Sequence, residues 1–499
     1  MQHWQYALII MLAYLAIALF IGLWAGKGRG GSVNEFAVAG RSLGILVTAC
    51  LMGGAVFSAF SFLGAPGWAF DRGAPAYYII VYTAFGILPW YIIGPKIRKI
   101  GHRYDLYTVS GFLFERFRNK TIPILIAIIA LFAFVQYLAT QMKGMAYIFN
   151  IMTDGRVPIW LGALAAYGIV VIYVATGGLR AAAWSDVFQA ILMVVISWVV
   201  GIAVVMQLHG STTAMFSSIA RERPGFLEIG AEGSTMSATA YTTTILVSLI
   251  GILMWPHLFS KSYSSRPITI KRTVLIYPVF ALFLIPLLLA GFAAIGAVQS
   301  GEVVPDEILP HLITNVLQMP GWLYGLVGAG ALAAAMSSAD AITHSASMEF
   351  TNGVVHQIKP NMPEQRTLVT MRTAVVVIGG AAYLITVFGG QGLIALLLGA
   401  YGSIVQFAPA VYSALYWRRA TAPGVIAGLL IGAFVNYYYQ FVAEPLLEIN
   451  PGILGLIANV IVMVGISFAT KPPAIDAVEG FVDVDKVTAE EGTAAANVK

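Results

Sequence analysis

The chain has 499 residues, 59% of them hydrophobic and 10% charged, with a formal net charge of +5. Average soluble domains carry about 25% charged residues, so the composition excludes an ordinary water-soluble protein. The basic residues fall in loops between apolar runs, which argues against a nucleic-acid face. The single cysteine, Cys50, lies in an apolar run and leaves no disulfide framework or zinc cluster.

The N-terminal MQHWQ has no basic region, and Lys27 and Arg29 follow the first apolar run. That run therefore reads as a retained first helix and not a cleaved signal. A bilayer core needs about 20 apolar residues per helix. Thirteen segments qualify, at 4–25, 44–69, 76–95, 122–150, 158–176, 186–208, 239–259, 273–298, 320–347, 369–388, 392–416, 422–441 and 452–470. They are numbered helices 1 to 13 below, and they predict an all-α membrane protein. Lys and Arg concentrate in every second loop, most densely after helix 3 (Lys96 to Lys120) and helix 7 (Lys261 to Arg272). The positive-inside rule then places the N-terminus outside and the C-terminus in the cytoplasm of a multi-pass protein of the cell membrane. Residues 1–472 form one transmembrane domain, and 473–499 read as a disordered cytoplasmic tail.

Helix 2 contains GGAVFSAFSFLGAPGW, Gly53 to Trp68, whose glycines, serines and Pro66 predict a break at mid-membrane. Helix 7 carries MWPH, Met254 to His257, with Pro256 removing a backbone donor. These two helices lie five apart, and an odd-numbered repeat must invert. Helices 2–6 and 7–11 are thus readable as two inverted halves, with helices 1, 12 and 13 peripheral. The alternative is that Gly and Pro only relieve packing.

Helix 9 reads ALAAAMSSADAITHSAS, Ala331 to Ser347. Polar groups at that depth in hydrocarbon usually bind something, and hydroxyls and carbonyls suit a hard cation such as sodium. Ser337 lies about 25 Å into its helix and Phe57 about 20 Å into helix 2, at 1.5 Å per residue, so the two regions can meet. The alternative use of Ser337 and Ser338 is to bond carbonyls of their own helix. Asp340 and His344 share a face at i,i+4 spacing and read as a structural pair. Asp340 and Asp186 are also gate or ion-path candidates, Asp186 at the cytoplasmic entry of helix 6. The alternative for Asp186 is a helix N-terminal charge favoured by the dipole. Gly424, Gly428 and Gly432 of helix 12 give a GxxxG spacing suited to close helix packing, within the chain or in a weak homo-oligomer.

Five segments together resemble the sodium:solute symporter family over residues 4–468. They are GRSLG (Gly40 to Gly44), FSAFSFLGAPGWAF (Phe57 to Phe70), TGGLRAAAWSDVFQ (Thr176 to Gln189), WPHLFSKSYSS (Trp255 to Ser265) and AAAMSSAD (Ala333 to Asp340). The resemblance implies a LeuT-type 5+5 inverted repeat and transport driven by a co-transported sodium ion. It also implies a sodium site made of the backbone carbonyls of Gly54, Phe57 and Ala334 and the hydroxyls of Ser337 and Ser338. One departure stands out: Val56 occupies a position where some members carry an Asp, which removes a carboxylate from the broken helix.

The solute pocket is expected near the midplane, between the broken helices and helix 4. Helix 4 carries VQYLATQMKG with Gln136, Tyr137, Gln141 and Lys143, the lysine reading as snorkelling. Phe57, Ser58, Gln136 and Trp255 are the leading pocket residues, with Tyr401 and Gln406 of helix 11 behind them. Local motifs look most like the monocarboxylate permease branch, which implies acetate, lactate or pyruvate. Proline-like amino acids, pantothenate and sugars remain open, as does a proton-coupled or uniport carrier of the same fold. No Walker A, HExxH or Gly-x-Ser-x-Gly motif supports an ATP-driven pump or a hydrolase. A sensor or channel on the same scaffold would need a signalling domain or a continuous polar stripe, and neither is evident.

Overall fold

The computed structural model describes residues 2–28, 31–299, 301–317, 319–389 and 393–486, without the side chains of 393–398. Among the described residues there are helices and connecting turns but no strand. A helix stands at each of the thirteen expected segments. By length and apolarity alone, eight helices among the described residues qualify as spans, one of them covering segments 5 and 6, or up to eleven when each bent pair counts as one span.

The expected breaks are present. Helix 2 runs as Ile45–Val56 and Phe60–Arg72 with a 60° bend, and Phe57 leaves helical geometry at φ −86°, ψ 97°. Helix 7 runs as Ala238–Met254 and Pro256–Tyr263 with a 49° bend, and Pro256 opens its second half. A third break was not anticipated: helix 3 bends by 46° between Ala74–Phe85 and Trp90–Arg103. Pro89 lies at that corner and has no N–H to continue the first half.

Helices 5 and 6 form one stretch, Ile159–His209, of 51 residues. At 1.5 Å per residue that is about 77 Å, more than twice a bilayer core. It divides at Gly178, where φ is 56° and ψ is −144°. A side chain there would meet the Phe36 carbonyl oxygen at 2.5 Å, so glycine is required twice over. Helix 6 therefore begins directly after Gly178 and not near residue 186 as expected. Hydropathy placed the boundary too late because Arg180 and Ser185 interrupt the apolar run.

Helix 9, Gly321–Ile358, has 94% of its most apolar stretch buried inside the protein, against 33% for helices 1, 12 and 13. The helix bearing Ser, Thr, Asp and His thus sits at the centre, where other helices can satisfy it, and lipid meets the apolar outer helices. Helix 1 still reaches the centre: the Tyr14 hydroxyl contacts Met336 Sδ at 3.5 Å and accepts from Gln189 Nε2 at 3.0 Å.

The glycines of helix 12 serve close packing within the chain, the first of their two expected uses. Positions added at Gly424, Gly428 and Gly432 would meet Ser467, Asn459 and Gln406 at 2.2, 2.5 and 2.4 Å, on helix 13 and helix 11. One expectation is corrected here: the tail is not wholly without structure. Ile475–Val482 is a helix whose Phe481 is buried and stacks on Tyr104 (5.7 Å) and edge-on to Phe112 (5.0 Å). Apolar residues spaced along a short amphipathic segment were hidden by its acidic composition. Residues 487–499 lie outside the described residues.

Candidate ion and solute site

The break in helix 2 and the middle of helix 9 meet. Ser337 Oγ donates to the carbonyl of Gly54 at 3.0 Å and to that of Ala334 at 3.1 Å. Ser338 Oγ donates to the same Gly54 carbonyl at 2.9 Å. The hydroxyls reach across to helix 2 and are not confined to their own helix. Four oxygens from two helices converge, all on fully buried residues, and each hydroxyl oxygen keeps lone pairs for a cation. Among the described residues no hydrogen-bond donor takes up the carbonyl of Phe57, which lies next in the break. A donor set of hydroxyls and carbonyls is that of a hard cation.

Close approach depends on Gly54. A β-carbon there would lie 3.1 Å from Asp186 Cγ and 3.1 Å from Ser337 Cβ. Asp186 is thus beside the cluster of hydroxyl and carbonyl oxygens, wholly buried, with neither carboxylate oxygen hydrogen-bonded. This corrects its expected place at the entry of helix 6. Since helix 6 starts after Gly178, Asp186 lies eight residues in, about 12 Å along the axis.

Asp340 and His344 do not pair, contrary to expectation. Asp340 Oδ2 accepts from the Tyr173 hydroxyl of helix 5 at 2.8 Å, while Oδ1 has no partner. His344 Nε2 donates to the Phe36 carbonyl at 2.7 Å. Each side chain finds a partner on another element, so the shared helix face does not decide the pairing. Sequence reading passed over Lys261. It is buried, its ammonium donates to the Leu51 carbonyl of helix 2, and it lies within electrostatic reach of Asp186 and Asp340. The signal available was a lysine within the apolar WPHLFSKSYSS.

Toward helices 4 and 7 the site becomes aromatic. Trp255 lies 5.0 Å from Tyr137, 5.4 Å from His257 and 5.5 Å from Tyr401, centroid to centroid. Tyr137 lies within electrostatic reach of Ser58 and Ser338, beside the oxygen cluster. Phe57 turns its ring to helix 8, edge-on to Phe283 at 4.5 Å and stacked on Tyr277 at 5.9 Å. Buried polar atoms without partners gather here: Ser58 Oγ, Trp255 Nε1, the Tyr277 hydroxyl and both nitrogens of His257. Unsatisfied groups are costly in a protein interior, so their concentration makes this the candidate place for a ligand or ordered water.

Of the other expected pocket residues, Gln136 stays on the helix 11 side of helix 4, with its amide nitrogen 3.7 Å from a β-carbon position at Gly399. Its Oε1 is buried without a partner. Gln406 is not in the pocket. Its Nε2 donates to the carbonyls of Gly402 and Gly452, both at 3.1 Å, and its Oε1 accepts from Asn459 at 3.3 Å. It fastens helix 11 to helix 13. Gln141 has a role of its own: its Oε1 accepts the N–H of Ala59 at 2.9 Å, a donor freed by the break. Lys143 stands over the Tyr147 ring at 5.9 Å.

A sodium:solute symporter family model matches residues 36–432. An uncharacterized symporter, YhjB of Bacillus subtilis, is 30% identical, covering 93% of this chain and 97% of that protein. The sodium/pantothenate symporter of Escherichia coli is 27% identical over 93% and 96% of the two chains. Sodium/proline symporter 2 of Staphylococcus saprophyticus is 26% identical over 97% and 96%. Among solved structures, a sodium-coupled sialic acid symporter in a substrate-bound outward-open state superposes with a TM-score of 0.79 at 16% identity. The match covers 94% of this chain and 98% of that one, and establishes a shared fold, the LeuT-like one. The protein is accordingly a multi-pass membrane transporter and not an enzyme. On the family match across most of its length, the chain belongs to the sodium:solute symporter family.

Proposed function

We propose that the protein couples inward sodium movement to uptake of a small monocarboxylate such as acetate, lactate or pyruvate across the cell membrane. The observation that carries sodium coupling is the convergence of Ser337, Ser338 and the Gly54 carbonyl at 2.9–3.0 Å across the helix 2 break. Sodium, as transported substrate, would be held by these groups with the carbonyls of Ala334 and Phe57. Asp186 beside them would supply negative charge on the ion's path.

The monocarboxylate reading is supported by the orphaned donors. Ser58, Trp255 and Tyr277 each carry an unmatched O–H or N–H, and a carboxylate is an acceptor-only group. The second halves of helices 2 and 7 also begin at the breaks, and helix N-termini favour anions. The aromatic wall of Trp255, Tyr137 and Tyr401 suits a short apolar tail. Basic loops support an outside N-terminus and a cytoplasmic C-terminus. Rocking of one repeat against the other would expose the site to each side in turn.

The test is labelled uptake into proteoliposomes of acetate, lactate, pyruvate, proline and pantothenate, under a sodium gradient, a proton gradient or neither. Sodium-dependent accumulation of a monocarboxylate is the expected result. Preference for proline or pantothenate would overturn the solute assignment alone, while uptake indifferent to sodium would overturn the coupling.

A further inference from the structure

A cleft that shares no lining residue with the first site lies where helices 3, 8 and 11 come together at their ends. It measures about 360 Å³ and is lined by Tyr91, Lys96, Lys99, Lys271, Tyr416 and Asp485, among others. Three lysines face one carboxylate, leaving an excess of positive charge. The aromatic rings hold two of the ammonium groups in place: Lys96 stands 4.5 Å over Tyr416 and Lys271 5.1 Å over Tyr91. Lys99 pairs with Asp485, which arrives from the tail beyond the helix Ile475–Val482. Lys96 donates to the Val482 carbonyl at 3.0 Å, so the tail is seated at the cleft by a second contact.

The surface beside the cleft changes character along each helix. On helix 8, Leu275 and Val279 follow Lys271 at four-residue intervals and share its face. Both are exposed, at 68% and 63%. On helix 3, Ile92 and Leu88 precede Lys96 and Lys99, toward the bilayer centre, and are likewise exposed. Cations thus sit above an apolar strip that faces hydrocarbon. That vertical order is the order of an anionic phospholipid, phosphate above and acyl chain below, and basic pockets between helix ends on the cytoplasmic side bind such headgroups.

We propose that this cleft holds the phosphate headgroup of an anionic membrane phospholipid, in competition with the Asp485 carboxylate of the chain's own tail. The tail then acts as a tethered anion that occupies the lysines when lipid does not. The assignment of this face to the cytoplasmic leaflet rests on the orientation proposed above.

Native mass spectrometry of the full chain, released from detergent after addition of phosphatidylglycerol or phosphatidylcholine, tests the site. Wild type is expected to retain phosphatidylglycerol over phosphatidylcholine. Lys99→Ala with Lys271→Ala should weaken that retention by about 30-fold, at roughly fivefold per juxtamembrane lysine. Lys99→Arg with Lys271→Arg should keep it, which separates charge from folding. Asp485→Ala should raise it by removing the competitor. Millimolar inorganic phosphate should fail to displace the lipid. Equal retention by the alanine pair overturns the site, reduced retention in Asp485→Ala overturns the competition, and displacement by phosphate reassigns the cleft to a free anion and overturns the lipid. The readout needs no transport and no sidedness. Protease access to the tail in sealed vesicles reports the orientation separately.

Discussion

Ser337 and Ser338 act through one shared acceptor, the Gly54 carbonyl. If the proposed ion site is right, replacing both by alanine removes two oxygen donors from the cation while leaving the helix intact. The sodium concentration for half-maximal uptake is expected to rise at least tenfold, since a hydrogen-bond-strength contact to a charge is worth roughly 1.5–3 kcal/mol and each 1.4 kcal/mol is about tenfold. Sodium titration of uptake checks this, and an unchanged half-saturation would remove the serines from the ion site. At Gly178 the issue is conformation and not ligation. Gly178→Ala forces a left-handed backbone and a contact with Phe36. The expected cost is about 1–3 kcal/mol, visible as a lower Tm in detergent with little change in the uptake half-saturation of properly folded protein.

At the scale of elements, the helix 2 break is held open by helix 4. Gln141→Leu leaves the Ala59 N–H unpaired in the interior, at about 1–3 kcal/mol. Both Tm and solute half-saturation should worsen, the first read by thermal unfolding in detergent and the second by solute titration of uptake. The tail helix is fixed at its start by Arg118 and Asp476, 2.7 Å apart. The Arg118 hydrogen bond holds the Asp476 carboxyl below its ordinary value of about 3.9. For a depressed carboxyl, the contribution to docking is present above the unfolded pKa and is lost as pH falls through the folded one. Hydrogen-exchange protection of residues 475–486, taken relative to the intrinsic rate at each pH, should therefore be steady across neutral pH, with this contact loosening only below about pH 4.

For the whole molecule, sodium at the proposed site is expected to stabilise the fold, because the oxygens that would hold it come from helices 2 and 9, which belong to different halves. At a sodium concentration about 100 times Kd the gain is about 2.7 kcal/mol. A thermal shift in sodium against choline chloride should show it, and Ser337→Ala with Ser338→Ala should cut it to about half or less at the same sodium concentration. A shift of undiminished size in the double variant would place the bound ion elsewhere.

The sequence by itself determined the helices, because about 20 consecutive apolar residues have few alternatives to crossing a bilayer. It also determined the breaks at Phe57 and Pro256 and the paired hydroxyls, since Pro, Gly and buried serines carry local chemistry that does not depend on neighbours. Tertiary structure decided which element each polar side chain serves. Asp340 bonds Tyr173 and not His344, Gln406 fastens helix 13 and does not line the pocket, and Gln141 caps a break on another helix. Asp186 came to the oxygen cluster through a glycine eight residues away whose backbone, and not its hydropathy, starts helix 6. For Asp340, Gln406 and Gln141 the deciding partner lies far off in the chain, and an isolated polar residue in an apolar helix looks the same whether it binds a ligand or another helix.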